Sequence, residues 1–296
     1  MLNEKIARRL EEVAGLLEDQ GANPFRVQAY RRAATTLRQT ARDVTEILDR
    51  EGPAGLRALQ GIGDSLARSI AVLVATGRLP MLERLRGESD PIALLGSVPG
   101  IGPVLAARLH HDLGIDTLEE LEAAAHDGRL STIAGLGEKR VAGIIDSLES
   151  RLGRVRRGFA PPPGDVPSVV EILDVDREYS EKAARGRLHR IAPRRFNPEK
   201  EAWLPVLHTS RRDRHYTALY SNTARAHRLG KTGDWVVLYF DGGHGERQCT
   251  VITAERGRLR GKRIVRGRED ECSALYGLPP DPPGGSMDRV TRRGKT

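Results

Sequence analysis

Three pairs of glycines are the residues best spaced to do chemistry without a side chain. They are Gly61/Gly63 in "LQGIGDSLARSI" (59–70), Gly100/Gly102 in "VPGIGPVLAARL" (98–109) and Gly135/Gly137 in "IAGLGEKRVAGI" (133–144). Each pair brackets one apolar residue, follows an apolar helix end and precedes a new amphipathic run. The first glycine suits a left-handed, helix-ending backbone, where other residues meet a steric penalty. The second lets another backbone approach closely. The helix that begins there presents N–H groups with no intrahelical acceptor at a positive dipole end, and such a turn holds a phosphate with its backbone alone. Lys139 follows the third pair directly. A single copy fits an ordinary helical hairpin with a glycine stop equally well. Three copies, spaced 39 and 35 residues apart, argue for a repeated device. Ala67, Ala106 and Ala142 are read as the small residues that let the two helices of each copy pack closely.

Other reactive groups carry less. Asp174 and Asp176 form the one Asp-x-Asp pair that could hold metal, but their segment reads as a capped helix, which points them to different faces. His208, His215, His227 and His244 are too scattered for ligand spacing, and none of the eight histidines forms His-x-His, so no metal site is expected. Asp234, Asp241 and Glu246-Arg247-Gln248 surround a strand hairpin, loosely like the carboxylate cluster of restriction-type nucleases. Those enzymes carry lysine where Gln248 falls. No cofactor is expected beyond a monovalent or divalent cation that a hairpin can hold. Cys249 and Cys272 are the only cysteines, which suits a reducing cytoplasm.

The 296-residue chain has a net charge of +8, distributed unevenly. Residues 185–268 carry 17 arginines and three lysines against seven acidic residues, a net +13, whereas residues 1–184 are net −4. Such asymmetry points to a polyanion, most often nucleic acid. Within that segment Arg194, Arg195, Arg211 and Arg212 are candidate contacts. Seven of the twelve aromatics lie between Phe196 and Phe240. Period-two alternation assigns Trp235 and some of Tyr216, Tyr220 and Tyr239 to a core, while exposed ones could stack on bases. No apolar run approaches the length of a membrane span.

The elements that must position these groups follow from periodicity. Residues 1–87 read as helices ending in the first glycine pair and its partner helix. Residues 88–155 read as a second helical unit with the other two pairs. Residues 156–167, "RRGFAPPPGDVP" in essence, form a Pro/Gly linker. Residues 168–277 read as a basic α+β domain: a helix opened by a Ser168…Glu171 capping box, then strands "AWLPVLHTS", "HYTALYS", "DWVVLYFDG" and "RQCTVIT", with "GKRIVRG" as an edge. Residues 278–296 read as a disordered tail. The fold class is thus multidomain, all-α in the N-terminal half and α+β in the basic C-terminal part.

The strings "NEKIARRLEEVAGLLEDQGANPFRVQAYRRAATTLRQ" and "LQGIGDSLARSIAVLVATGRLPMLERL" resemble the N-terminal eight-kilodalton domain of family X DNA polymerases, the polymerase beta group. Residues 89–153 resemble the second helix-hairpin-helix domain that follows it in bacterial members. The resemblance covers about half the chain and implies that the three glycine pairs are helix-hairpin-helix motifs. It also implies binding of a strand's 5′-phosphate near Arg26 and Tyr30. The positions matching the family's lyase lysines hold Ser65 and Ser69, and Lys5 is the only lysine before Lys139, so the Schiff-base lyase is not expected. The Gly-Ser and carboxylate set of the polymerase palm is missing from the sequence, as is the exonuclease domain. The expectation is a cytoplasmic, nucleoid-associated, non-sequence-specific DNA-binding protein acting on gapped, nicked or branched DNA in repair or recombination, without a polymerase of its own and working beside repair proteins. Two alternatives stay open: a repair enzyme with a nuclease-like C-terminal domain, and a scaffold for a separate polymerase or ligase.

Overall fold

The computed structural model describes residues 2–88, 91–115, 118–126, 128–156, 166–243 and 246–278. Most of the expected linker, and the expected tail from 279 on, lie outside the described residues. Among the described residues no helix is long and apolar enough to cross a membrane.

Five helices build the first core: α1 (Leu2–Asp19), α2 (Pro24–Gln39), α3 (Val44–Arg57), α4 (Asp64–Thr76) and α5 (Pro80–Leu85). In α1, Ile6, Leu10, Val13, Ala14 and Leu17 recur at helical spacing and are buried. Asn23 starts α2 by accepting from Phe25 N–H at 2.9 Å, with Pro24 at the first helical position, where its missing N–H costs nothing. Gly52, at φ +64°, breaks α3 before Pro53. The core runs from Ile6 to Leu85 and includes Leu37, Ile47, Leu56 and Ile70.

A second core, from Leu95 to Leu148, joins α6 (Pro91–Leu95), α7 (Pro103–Leu113), α8 (Leu118–His126), a 3-10 turn at Arg129–Thr132 and α9 (Glu138–Arg156).

The rest is a six-stranded antiparallel meander in sequence order: β1 (His189–Ile191), β2 (Leu204–Arg211), β3 (Arg214–Tyr220), β4 (Val236–Asp241), β5 (Arg247–Thr253) and β6 (Arg263–Val265). Before it comes α10 (Val169–Ala184), capped as expected by Ser168, whose hydroxyl accepts from Glu171 N–H. Helices α11 (Ala224–Arg228) and α12 (Glu269–Leu275) complete this part. Val169, Ile172, Val175 and Tyr179 of α10 pack on Leu207, Tyr216, Ala218, Val236, Leu238 and Phe240. Each large side chain buried in this way contributes on the order of 1.5–3 kcal/mol. The Tyr179 hydroxyl donates to Pro205 C=O at 3.0 Å and accepts from Tyr220 N–H at 2.8 Å.

Asp174 and Asp176 do lie on different faces of α10. Asp176, 2% exposed, holds Arg263 of β6 in a bidentate pair, and the same guanidinium donates to Asp234. Asp174 accepts from Arg177 and Arg211. Tyr216 is core as expected, but Trp235 is only half-buried and precedes β4, with the Arg225 guanidinium 5.8 Å from its ring.

Candidate nucleic-acid interface

The three glycine pairs share one backbone. The first glycine of each is left-handed, at φ +78° for Gly61, +86° for Gly100 and +88° for Gly135. The apolar residue between the glycines turns inward: Ile62, Ile101 and Leu136 are 3, 4 and 6% exposed. Its N–H bonds back to Leu59, Val98 or Ile133 C=O at 3.0–3.1 Å. The second glycine then caps the next helix, accepting from Ala67 and Ala106 N–H at 2.9 Å and from Val141 N–H at 3.1 Å. The register corrects one expectation. Ala67 and Ala106 are fully buried where the helices meet, but their counterpart in the third copy is the half-buried Val141, and Ala142 is exposed.

What stands before each helix start differs. In the second copy Gly100, Gly102, Pro103 and Val104 are exposed, and an added Cβ at either glycine would meet nothing within 4 Å. The third is also open, with Gly135, Gly137, Lys139 and Arg140 at the surface. Arg108 of α7 donates to Ala134 C=O at 2.8 Å and so ties the second copy to the third. At the first copy the loop glycines are exposed, but the first turn of α4 is partly covered. Asp64 accepts from Arg57 at 2.7 Å, and the Ser65 hydroxyl donates to Asp241 at the end of β4.

That contact belongs to a larger interface. The sheet face opposite α10 carries the cross-strand row His208, Thr217, Tyr239 and Gln248. His208 bonds Gln20 at 3.0 Å and Thr217 at 3.1 Å. The Arg84 guanidinium lies 3.6 Å over the Tyr239 ring and pairs with Glu246. Burial, with the Arg26 and Arg84 charges, drives the His208 imidazole pKa down to about 3. Gly87, at φ +75°, permits the closest approach. A Cβ there would fall 2.9 Å from Ala192 C=O, and Gly87 C=O accepts from Arg194 N–H at 2.8 Å.

Arg26 and Tyr30, expected to meet a phosphate directly, are not on open surface in this conformation. The C-terminal sheet covers them. The Arg26 side chain is 9% exposed and 4.0 Å from Glu246. Tyr30 is 6% exposed, donates to Met81 Sδ at 3.1 Å, and has its hydroxyl pKa pushed up to about 12 by burial. Asp241 and Glu246, read above as candidate catalytic carboxylates, are engaged with Ser65 and Arg84. Asp234 is engaged with Arg263. Among the described residues no cluster of three or more His, Cys, Asp or Glu could hold a metal ion.

The basic segment is partly neutralised by α10. Arg211 pairs with Asp174 and Glu178 at 2.8 and 2.7 Å, and Arg214 approaches Glu171 at 3.4 Å. Arg211 is therefore half-buried and committed within the fold, unlike its exposed neighbour Arg212. The Arg195 guanidinium lies 5.3 Å from the Phe196 ring. Arg194 is exposed and lines a hollow of about 360 Å³ with Arg9, Arg78 and Arg86. Counting α10 and α12 with the sheet, residues 168–277 still carry +7. Arg187, Arg190, Arg256, Arg258, Arg260 and Arg266 are exposed. Sequence reasoning missed Arg84, because nothing local marks an arginine in a short helix as the partner of a residue 162 positions on.

Comparison with known proteins agrees with this geometry. Residues 1–79 match the family model of the helix-hairpin-helix domain, and residues 92–150 match that of the SAM-like helix-hairpin-helix tandem. The chain is 32% identical over 149 residues to the DNA polymerase/3′-5′ exonuclease PolX of Bacillus subtilis (strain 168). That match covers 50% of this chain and 25% of the relative, so the chain spans about a quarter of the length of the protein it matches. The N-terminal half thus carries two regions that match helix-hairpin-helix models, is similar to part of PolX, and leads into an antiparallel sheet region.

Proposed function

We propose that the chain binds DNA without reading its sequence, through the second and third hairpins, and acts on gapped, nicked or branched DNA in repair or recombination without polymerising it. The observation that carries this reading is the pair of open helix starts. At Gly102 and Gly137 the first N–H groups of α7 and α9 have no intrahelical acceptor, nothing crowds the glycines, and Lys139 and Arg140 stand beside them. Backbone donors and flanking cations hold phosphates and leave base edges unread. The exposed arginines of the C-terminal part add non-specific affinity. The similarity to a DNA polymerase supports the same substrate class.

The test is equilibrium binding to gapped, nicked, branched and intact duplexes of equal length in several sequences. Affinity should vary with DNA structure and not with sequence, and should fall steeply with salt. Absence of binding at low salt, or a strong sequence preference, would overturn the reading. Incubating labelled gapped duplex with Mg²⁺ or Mn²⁺ tests for cleavage.

A further inference from the structure

The loop between β1 and β2 holds two non-glycine residues in the left-handed region, Phe196 at φ +52° and Lys200 at φ +55°. For a bulky residue that backbone is strained, and it persists only where the surroundings over-determine it. Here they do. The buried Asn197 side chain donates to Glu201 C=O at 2.8 Å and accepts from Glu201 N–H at 3.1 Å, which closes the loop on itself. Asn222 donates to Arg195 C=O at 3.1 Å and accepts from His227 Nε2 at 2.6 Å. The strain does not serve burial, since Phe196 is left 44% exposed. It holds the Phe196 ring against His227, with 4.6 Å between centroids, and Trp203 stands perpendicular to His227 at 6.1 Å. The result is a rigid aromatic step at the surface of the C-terminal part.

Cations border this step. The Arg195 guanidinium lies 5.3 Å from the Phe196 ring, and Arg228 is exposed and forms no ion pair among the described residues. Burial, then the charges of His110, Arg228 and Arg195, hold the His111 imidazole below its usual range, which gathers both arginines around the end of α7. Arg225 donates to His111 C=O at 2.9 Å, so α7, ~16 Å long, runs from the open start at Gly102 to this surface. An aromatic face with flanking cations suits an unpaired nucleotide, whose base stacks on the ring while its phosphates meet the cations. A paired base is already stacked inside its helix and offers no free face.

We propose that Phe196, backed by His227, is a stacking platform for an unpaired nucleobase, and that Arg195 and Arg228 hold the phosphates beside it. This rests on the reading that the chain binds DNA and gives that reading a source of structure preference. Gaps and branches expose bases, and intact duplex does not.

The experiment uses the full-length chain and three duplexes: one intact, one with a short gap of thymidines, and one with the same gap made of base-less sugar-phosphates. The two gaps share their phosphates and differ only in their bases. The chain should bind the base-bearing gap about tenfold tighter than the base-less one. Phe196→Asn should bring that ratio close to one, because asparagine tolerates the left-handed backbone but offers no ring. Phe196→Trp should keep the ratio, and its added fluorescence should be quenched by the base-bearing gap alone. Arg195→Gln/Arg228→Gln should weaken binding to both gaps. A ratio near one in the unaltered chain, a ratio that survives Phe196→Asn, or fluorescence that responds equally to both gaps overturns the platform. Unchanged affinity in the double arginine variant overturns the assignment of the phosphates. If Phe196→Asn fails to fold, the fluorescence of Phe196→Trp decides alone. Absence of binding to all three duplexes at low salt sinks the DNA reading and the platform together. Binding with no response to the bases sinks the platform alone.

Discussion

The first hairpin and the second have the same backbone and different surroundings. Gly61 and Gly100 share a left-handed φ, Ile62 and Ile101 the same burial, and Ala67 and Ala106 the same contact. Yet the first turn of α4 carries Asp64 and meets Asp241 through Ser65, whereas that of α7 faces open space with Val104 76% exposed. The repeated string therefore specifies a turn and its seat in the core. Whether that turn is available to a ligand is decided elsewhere, by a strand end 176 residues away.

The largest expected effect concerns what the two copies share. Ile62→Ala and Ile101→Ala should each cost about 3 kcal/mol of unfolding free energy, since both empty a filled position. Urea titration checks this. A cost under about 1 kcal/mol at either site would mean that the copy is not seated as its twin is. Next comes what they do not share. Gly100→Val/Gly102→Val strains a left-handed turn and blocks approach to α7, so DNA affinity should drop about 30-fold, the equivalent of roughly 2 kcal/mol of charge-assisted hydrogen bonds. The same pair of changes at Gly61 and Gly63 should lower affinity much less, because Asp241 already covers the first turn of α4. Equal losses, in variants whose circular dichroism is unchanged, would erase the distinction between covered and open copies.

The third copy sharpens it further. Lys139→Gln/Arg140→Gln should make the plot of log affinity against log salt shallower by about 1.8, at roughly 0.9 per phosphate contact. An unchanged slope would leave the backbone as that copy's only means of attraction. The smallest effect is the pH response of the covering interface. The His208 pKa is lowered in the folded chain, so its neutral form stabilises. That stability is complete above the unfolded value near 6.5 and is lost as pH falls from there toward about 3. Between pH 7.5 and 6.0 the chain should lose about 0.8 kcal/mol through this group, and His208→Gln should remove that part of the slope. Identical pH profiles for the two chains would show that His208 does not titrate across folding.

Local signals were legible in the sequence wherever their causes are local. The glycine pairs gave the hairpins, the apolar spacing of α1 gave its buried stripe, and Ser168 with Glu171 gave the start of α10. The main β-strands followed from alternation. Three short pieces did not, although the equally short β6 was read as an edge: β1 has three residues, and α6 and α12 have five and seven, too few for a period to register. The charge count misled in part because it cut the chain at residue 185, which separated Arg211, Arg214 and Arg263 from the α10 carboxylates that neutralise them. Arg26 and Tyr30 were found by resemblance, but their covering was not. It depends on Asp241 and Glu246, whose only sequence signal was acidity beside a turn, and that signal pointed as readily to catalysis.

The long separation between Arg84 and Glu246 has a consequence in time. Ribosomes add about 5–20 residues per second, and N-terminal units fold as they emerge. The 162 residues between the two partners take about 10–30 s to make. For that interval the nascent first helical unit has its arginines and no carboxylate hairpin to meet them. Arg26 and Arg84 thus stand uncovered while the rest of the chain is made, and completing the fifth strand is the event that buries them.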